Sequence, residues 1–372
     1  MRKIKITYII SNVDKAIGFE WVVENLNSSK FELSFILLNA SEPYFFSWLK
    51  DREIKCYFVK HTGKRNYLTS FFKVLGKLLK IKPNVVHTHL FDANLIGLTT
   101  SKILNIKKRI YTRHHSTYHH DNFPNAVKYD QWANSIATKI VAISKNVETI
   151  LIENEKVNKD KITLIHHGFE LKKFKSVDIN HINKLRNKYQ INDNEYPVIG
   201  VIARYIKLKG IENTIAAFKL LIQDFPNAKL ILANASGKDE QHIKNLLNDL
   251  PKTSFIEIKF EANLFALYQL FDVYVHTPIN KKVEAFGQTY VEALAAGVPS
   301  IFTLSGVANE FIKDGENALV VPYNNSKKIE KSILYLLKNP QKSKELIENG
   351  IKSVQQFNLD LFINKLEKLY GK

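Results

Sequence analysis

One cysteine, Cys56, in 372 residues excludes an internal disulfide framework and suits a reducing compartment. No stretch approaches the roughly 18 uncharged apolar residues of a membrane-spanning helix. The run Met1–Ile10 begins basic, as a signal peptide does. Lys5 interrupts its apolar part and Ser11-Asn12 ends it, so it reads as a first β-strand. Internal repeats, low-complexity tracts and an Asp-x-Asp cluster suited to a metal are absent. Acids are also few, 36 Asp and Glu against 54 Lys and Arg, a net charge of +18. A 45% hydrophobic and 24% charged composition leaves ample core for two domains.

The positive charge is unevenly placed. Residues 54 to 120 hold thirteen Lys and Arg and one acid, Asp92, so two thirds of the net charge lies in under a fifth of the chain. Such a concentration points to an anionic partner: lipid headgroups, nucleic acid or a polyphosphate.

Short β-branched runs alternate with amphipathic segments. In the first half they are Lys5–Ile10, Phe31–Leu38, Lys55–Val59, Val85–Thr88, Arg109–Thr112, Lys139–Ile143 and Ile162–Ile165. Residues 170–196 break the pattern with polar, Lys-rich sequence. A second series follows at Val198–Ile202, Lys229–Ala233, Ser254–Ile258, Phe271–His276, Ser300–Thr303 and Ala318–Val321. The alternation predicts an α/β protein of two doubly wound parallel-sheet domains facing a ligand cleft. The expected limits are 1–175 with a returning C-terminal helix at about 356–372, and 190–355.

Two segments carry the chemistry. In Glu284 to Pro299, two carboxylates, Glu284 and Glu292, bracket Gly287, and a Gly297-Val-Pro299 stop follows. A helix starting near Gly287 leaves its first amides without intrahelical acceptors, and its dipole favours a phosphate there. Carboxylates on either side suit sugar hydroxyls. The second segment, Arg204 through Lys209-Gly210, follows the first strand of the second series and offers a guanidinium and an ammonium to phosphate oxygens. Read singly, each is also compatible with an ordinary helix start or solvated surface cations.

Together these segments resemble the retaining glycosyltransferases of family 4, which have the GT-B fold of two Rossmann-like domains. The family's Arg-x4-Lys-Gly is met by Arg204, Lys209 and Gly210. Its Glu-x-Phe-Gly-x4-Glu pattern is met by Glu284, Phe286, Gly287 and Glu292, and continues through Ala293, Ala295, Gly297 and Pro299. His167-Gly168-Phe169-Glu170 with Phe174 resembles the segment that closes the family's first domain. The resemblance implies that Glu284 holds donor-sugar hydroxyls and Glu292 the ribose. It implies that Arg204 and Lys209 clamp the diphosphate, and that the backbone of Gly287, Gln288 and Thr289 cradles a phosphate. Ile258 to Phe260 stand where the family's base rests.

The same resemblance places Gly18, between strand one and a helix, near the donor diphosphate, although this chain has one glycine where the family often has more. It also places a histidine after the strand ending at Arg113, His114 or His115 with His115 preferred, near the donor sugar or acceptor. It implies a metal-independent enzyme. The cluster His114, His115, His119 and His120 with Asp121 invites a zinc reading, but its spacing matches no closed zinc pattern. His87 and His89 end another strand and read as packed, hydrogen-bonded histidines.

The expected function is transfer of a hexose or N-acetylhexosamine, with retention, from a sugar nucleotide to a glycan or lipid-linked acceptor. UDP is favoured over GDP, and the expected process is synthesis of cell-surface polysaccharide such as lipopolysaccharide. The alternatives are another GT-B sugar-nucleotide enzyme such as an epimerase, or a basic nucleic-acid-binding protein, although no nucleic-acid motif is present. Residues 65–82 read as one helix with Leu68, Phe71, Phe72, Leu75, Leu78 and Leu79 on one side and Lys73, Lys77 and Lys80 opposite. Such a helix either covers the first sheet or lies on an anionic membrane. The expected location is cytoplasmic, with peripheral attachment to the inner face of the plasma membrane through this helix.

Overall fold

The computed structural model describes residues 2–371. They form two Rossmann-like doubly wound sheets, the α/β architecture that the alternating pattern predicts. The chain divides into two compact units, Met1–Phe169 with Leu359–Lys372, and Glu170–Asn358.

In the first unit the strands are β1 (Ile4–Ser11), β2 (Phe31–Asn39), β3 (Lys55–Lys60), β4 (Val85–His89), β5 (Lys108–Arg113), β6 (Lys139–Ala142) and β7 (Ile162–Leu164), in the order β3-β2-β1-β4-β5-β6-β7. In the second they are β8 (Val198–Ile202), β9 (Lys229–Ala233), β10 (Phe255–Ile258), β11 (Val273–His276), β12 (Ser300–Phe302) and β13 (Leu319–Val320), in the order β10-β9-β8-β11-β12-β13. Every neighbouring pair is parallel. Central strands are buried on both faces, which is why they read as unbroken apolar runs.

Each sheet reverses its direction of winding once. In the first unit the reversal falls between β1 and β4; in the second, between β8 and β11. Loops at the carboxyl ends of such a strand pair diverge to opposite faces and leave a crevice, the usual ligand position in open α/β sheets.

The C-terminal helix, Leu359–Gly371, belongs to the first unit. Tyr370 anchors it. Its hydroxyl meets that of Tyr8 at 2.5 Å and Nδ1 of His87 at 2.6 Å, while Nε2 of His87 meets Thr112 Oγ1 at 2.8 Å. Lys108 Nζ donates to the carbonyls of Leu369 and Tyr370, at 3.3 and 2.9 Å, where cations suit a helix end. Tyr370→Phe removes the hydroxyl and leaves buried Tyr8 without that partner. The expected cost is about 1–3 kcal/mol, measured as a lower denaturation midpoint.

The helix Tyr67–Ile81 corrects one expectation. The face turned to the sheet is Ser70, Val74, Leu78 and Ile81, whereas Leu68, Phe72 and Leu79 point to solvent. The six predicted residues do not form one buried side: Leu78 is in the core, Phe71 and Leu75 are half-buried, and Leu68, Phe72 and Leu79 are exposed. Two stripes are centred about 145° apart on the helix: Ser70, Val74, Leu78 and Ile81 fill the space over β1, β2 and β4, and Leu68, Phe72 and Leu79 are left on the other side. Lys77 is also not a free surface cation, since its ammonium sits 4.6 Å from the centre of the Tyr57 ring.

Candidate functional site

The β8–β11 crevice is built from two loops that need glycine. After β8 the chain makes a short turn, Lys207–Lys209, and ends it at Gly210 with φ +63°. A Cβ there would stand 2.1 Å from the Thr277 carbonyl oxygen, so the loop after β11 can lie against this backbone only if residue 210 has no side chain. The amide of Ile279 then donates to the Leu208 carbonyl at 3.2 Å and ties the two loops together. Beyond them Gly287, φ +85°, caps the helix Gln288–Ala295, and a Cβ on it would be 2.6 Å from the Tyr290 ring. Tyr290 is itself fixed by its hydroxyl, which donates to the Thr303 carbonyl at 2.8 Å.

This packing brings Glu284 and Lys209 together from 75 residues apart. Lys209 Nζ donates to Glu284 Oε1 at 2.5 Å, and His276 Nε2 approaches the same oxygen at 3.2 Å. The Glu284 amide donates to Ser305 Oγ at 3.1 Å. Burial would raise the carboxyl pKa, but the Lys209 ammonium and His276 outweigh it and hold Glu284 well below the usual carboxylate range. Burial pushes His276 down, with Glu284 opposing. The site therefore holds a fixed carboxylate and an ammonium that keeps 20% of its side-chain surface in solvent.

Arg204 sits at the start of the same loop, exposed, with no hydrogen-bond or ion-pair partner for its side chain among the described residues. Gln288 and Thr289 form the first turn of the Gly287-capped helix, where amides lack intrahelical acceptors. Glu292, further along that helix, is buried and accepts from Tyr268 at 2.8 Å. Burial pushes its pKa up to about 7, with the tyrosine hydrogen bond pulling the other way.

That shift has a measurable sign. Between about 4.5 and about 7 the unfolded chain ionises at this position while the folded chain keeps its proton, so stability is lost across the window as pH rises. Glu292→Gln removes the titration. The variant is expected to gain melting temperature relative to wild type at about pH 8 compared with about pH 5. A constant difference across that range would mean that Glu292 titrates normally.

Two predicted donor contacts are placed differently from their neighbours. The Phe286 side chain is buried against Phe357, so only its backbone is available to a ligand. Ile258 is buried at the end of β10 and its carbonyl already accepts from Ala235, whereas Phe260 is 66% exposed on the loop that follows. Three contributors escaped sequence reading: His276, Tyr268 and Ser305. His276 ends β11 and could have been suspected from its place at a strand's carboxyl end. Tyr268 reaches the Glu292 carboxylate, and Ser305 the Glu284 amide, only through the packing of their loops.

Gly18 and His115 lie in the first unit. Gly18 is the second residue of the helix Ile17–Asn25, and a Cβ there would meet nothing within 4 Å, so the fold itself does not require glycine. His114 and His115 diverge. His114 is inside, with Nε2 3.0 Å from His89 Nδ1 and its ring stacked on His167. Burial keeps His87, His89, His114 and His167 neutral, with His87 pushed down to about 3 and His167 to about 4. His115 turns the other way, Nε2 3.4 Å from Asp130, whose second oxygen meets His119 Nδ1 at 2.7 Å.

The zinc grouping suggested by sequence is not assembled as such. His114 joins the imidazole stack, His120 goes to Glu155, and Asp121 accepts from Thr117. His115, His119 and Asp130 do converge within 4.8 Å. The Arg113 guanidinium shares the Asp130 carboxylate at 3.1 Å and also pairs with Glu155, so a positive charge already occupies that side of the cluster. Sequence reasoning missed Asp130 and Glu155, which lie on later segments.

Two family models match the chain, "Glycosyltransferase Family 4" over residues 22–173 and "Glycosyl transferases group 1" over residues 181–353. The chain belongs to glycosyltransferase family 4. It is 29% identical, over 82% of its length and 80% of the relative's, to the capsular polysaccharide biosynthesis glycosyltransferase CapM of Staphylococcus aureus. It is 26% identical to the alpha-monoglucosyldiacylglycerol synthase of Acholeplasma laidlawii, over 80% of this chain and 77% of that one. Among solved structures, Anabaena Alr3699/HepE in complex with UDP and glucose superimposes with a TM-score of 0.84 at 19% identity, covering 99% of each chain. The fold is GT-B and the protein is a glycosyltransferase. None of the helices among the described residues is long and apolar enough to cross a membrane.

Proposed function

We propose that this family-4 enzyme takes its sugar from a nucleoside diphosphate sugar bound at the β8–β11 crevice, and that the nucleotide is UDP rather than GDP. The observation that carries the reading is the Lys209–Glu284 pair, an ammonium and a buried carboxylate held together beside a glycine-capped helix start. A diphosphate entering there draws Lys209 and Arg204 to its oxygens, and the helix amides supply further donors. Glu284, released from part of its charge pairing, then accepts from donor-sugar hydroxyls. Glu292 and Tyr268 offer a proton-bearing pair to the ribose.

When the bond between the anomeric carbon and the diphosphate breaks, charge collects on phosphate oxygens, and these fixed cations and amides stabilise it. With two cations at that point the reaction proceeds without a metal. The acceptor hydroxyl attacks from the face the diphosphate leaves and passes its proton to the departing phosphate oxygen, which retains the anomeric configuration. The acceptor is a glycan or lipid-linked sugar destined for the cell surface. The capsular and glycolipid activities named for the relatives, and the UDP and glucose bound by a protein of the same fold, support this reading.

The test is release of nucleoside diphosphate from UDP-hexoses, UDP-N-acetylhexosamines and GDP-mannose, with and without EDTA. Release from a UDP-sugar that chelator leaves unchanged is expected. Release only from a GDP-sugar, or only with added divalent cation, would overturn the donor or the metal-independent part of the proposal respectively.

A further inference from the structure

We infer that the outer side of the Tyr67–Ile81 helix, with the end of the neighbouring helix Phe91–Ile103, is a docking surface for an anionic lipid bilayer. The inference is independent of the donor site, since it rests on the first unit and the donor crevice lies in the second.

The first observation is a second apolar stripe that the fold leaves unused. The sheet-facing stripe accounts for the helix's contribution to the core. Leu68, Phe72 and Leu79 recur at spacings of four and seven on a different side, and are 73%, 64% and 54% exposed. Ile103, at the end of the adjacent helix on the same side of the sheet, is 57% exposed. Large apolar side chains standing this far out of a protein surface, and grouped, mark an interaction site.

Charge decides the occupant. Lys64, Arg65, Lys73, Lys80 and Lys82 are exposed on this helix and its ends, and Lys102 and Lys107 are exposed beside Ile103. Asp92 is the one acid in residues 54 to 120. Long cationic side chains around an aliphatic and aromatic stripe suit the boundary between acyl chains and headgroups, where stems lie along apolar surface and ammonium groups reach phosphate. A nucleic acid would use the cations but not the exposed leucines and isoleucine.

A groove supports the same occupant. Between the end of the helix and the turn before β5 lies a groove of about 370 Å³, walled by Leu79, Leu104 and Ile106 and flanked by Lys82 and Lys107. Two ammonium groups beside aliphatic walls match a phospholipid's phosphate and the first carbons of its chains.

Flotation of the full-length protein with vesicles tests this. One set contains equal parts phosphatidylglycerol and phosphatidylcholine, the other phosphatidylcholine alone, each at low and high ionic strength. Wild type is expected to partition onto the anionic vesicles at least about tenfold more than onto the neutral ones, and less at high salt. Phe72→Ser with Leu79→Ser, two solvent-facing changes, should abolish most of the binding while melting temperature and donor hydrolysis stay at wild-type values. Lys73→Glu with Lys80→Glu should do the same. Absence of partition at low salt overturns the proposal, as does binding that the Phe72/Leu79 variant retains in full. A lipid-free dimer that this variant dissociates would show that a second copy of the chain covers the face, and would overturn it equally.

Discussion

Glu284→Gln is expected to lower turnover of the donor by about a hundred- to a thousand-fold, the usual effect of removing one preorganised group from an electrostatic site. The side chain is buried and its oxygen is held by Lys209 and His276, so it cannot be replaced by water or a neighbour in the same position. Gln keeps the shape and one acceptor oxygen but loses the charge. The fall should therefore appear mainly in kcat, with KM for the donor changed little, because the diphosphate contacts proposed for Arg204, Lys209 and the helix start remain. Steady-state kinetics on the purified variant, with its melting curve as a check of folding, gives the result. Wild-type kcat in a folded variant would remove Glu284 from the chemistry.

Lys209→Ala is expected to act on both binding and stability. Loss of the ammonium removes the proposed diphosphate contact and leaves the Glu284 oxygen buried with only His276 opposite it. Removing one partner of a buried pair strands the other, and here the deficit should be roughly 3 kcal/mol, at the lower end because Lys209 is itself partly exposed. The sign with pH follows. In wild type the depressed Glu284 pKa contributes stability that is fully present above the ordinary carboxylate range and is lost progressively as pH falls from that range toward the depressed value. In the variant burial acts unopposed by the lysine, so Glu284 takes up a proton more readily and the deficit shrinks as pH falls from neutrality. Adding Glu284→Gln to Lys209→Ala should restore much of the stability and none of the turnover. Chemical denaturation at several pH values distinguishes this from simple loss of packing, for which the deficit would not change with pH and the second substitution would not help.

Much of this was legible in the sequence because parallel sheets bury both faces of their strands. Runs such as Val198–Ile202 and Leu230–Ala233 are continuous and uncharged, and β8 and β9 contain those residues. The crevice was legible for another reason: Gly210 and Gly287 are required by the backbone itself, Gly210 directly after Lys209 and Gly287 three residues after Glu284. Contacts between distant segments were not legible. Nothing local to Tyr268 says that its hydroxyl reaches Glu292, and nothing local to Asp130 says that Arg113, His115 and His119 gather on it. The Tyr67–Ile81 helix shows a further limit. A helical wheel reports which residues share a side, but not which of two stripes the sheet will take, and here the sheet took Val74 and Ile81 and left Phe72 and Leu79 in solvent.

The two units also differ in how strongly their residues commit to a role. In the second, Lys209, Glu284 and Glu292 are fixed by hydrogen bonds before any ligand arrives, which is the preorganisation that transition-state stabilisation requires, while Arg204 stands exposed beside them. In the first, four neutral imidazoles, His87, His89, His114 and His167, pack together near the carboxyl ends of β4 and β5. Burial makes protonation there costly, so the first unit should lose stability as acid forces these rings to charge.

Calorimetric titration of UDP into the wild-type protein and into Arg204→Ala decides whether the β8–β11 crevice binds the diphosphate of a sugar nucleotide. Arg204 is exposed and has no partner among the described residues, so its removal should leave the fold intact. Saturable one-to-one binding by wild type in the presence of EDTA, weakened at least about tenfold in the variant, is the expected result. Absence of UDP binding by wild type, or equal affinity in the two proteins, would contradict it.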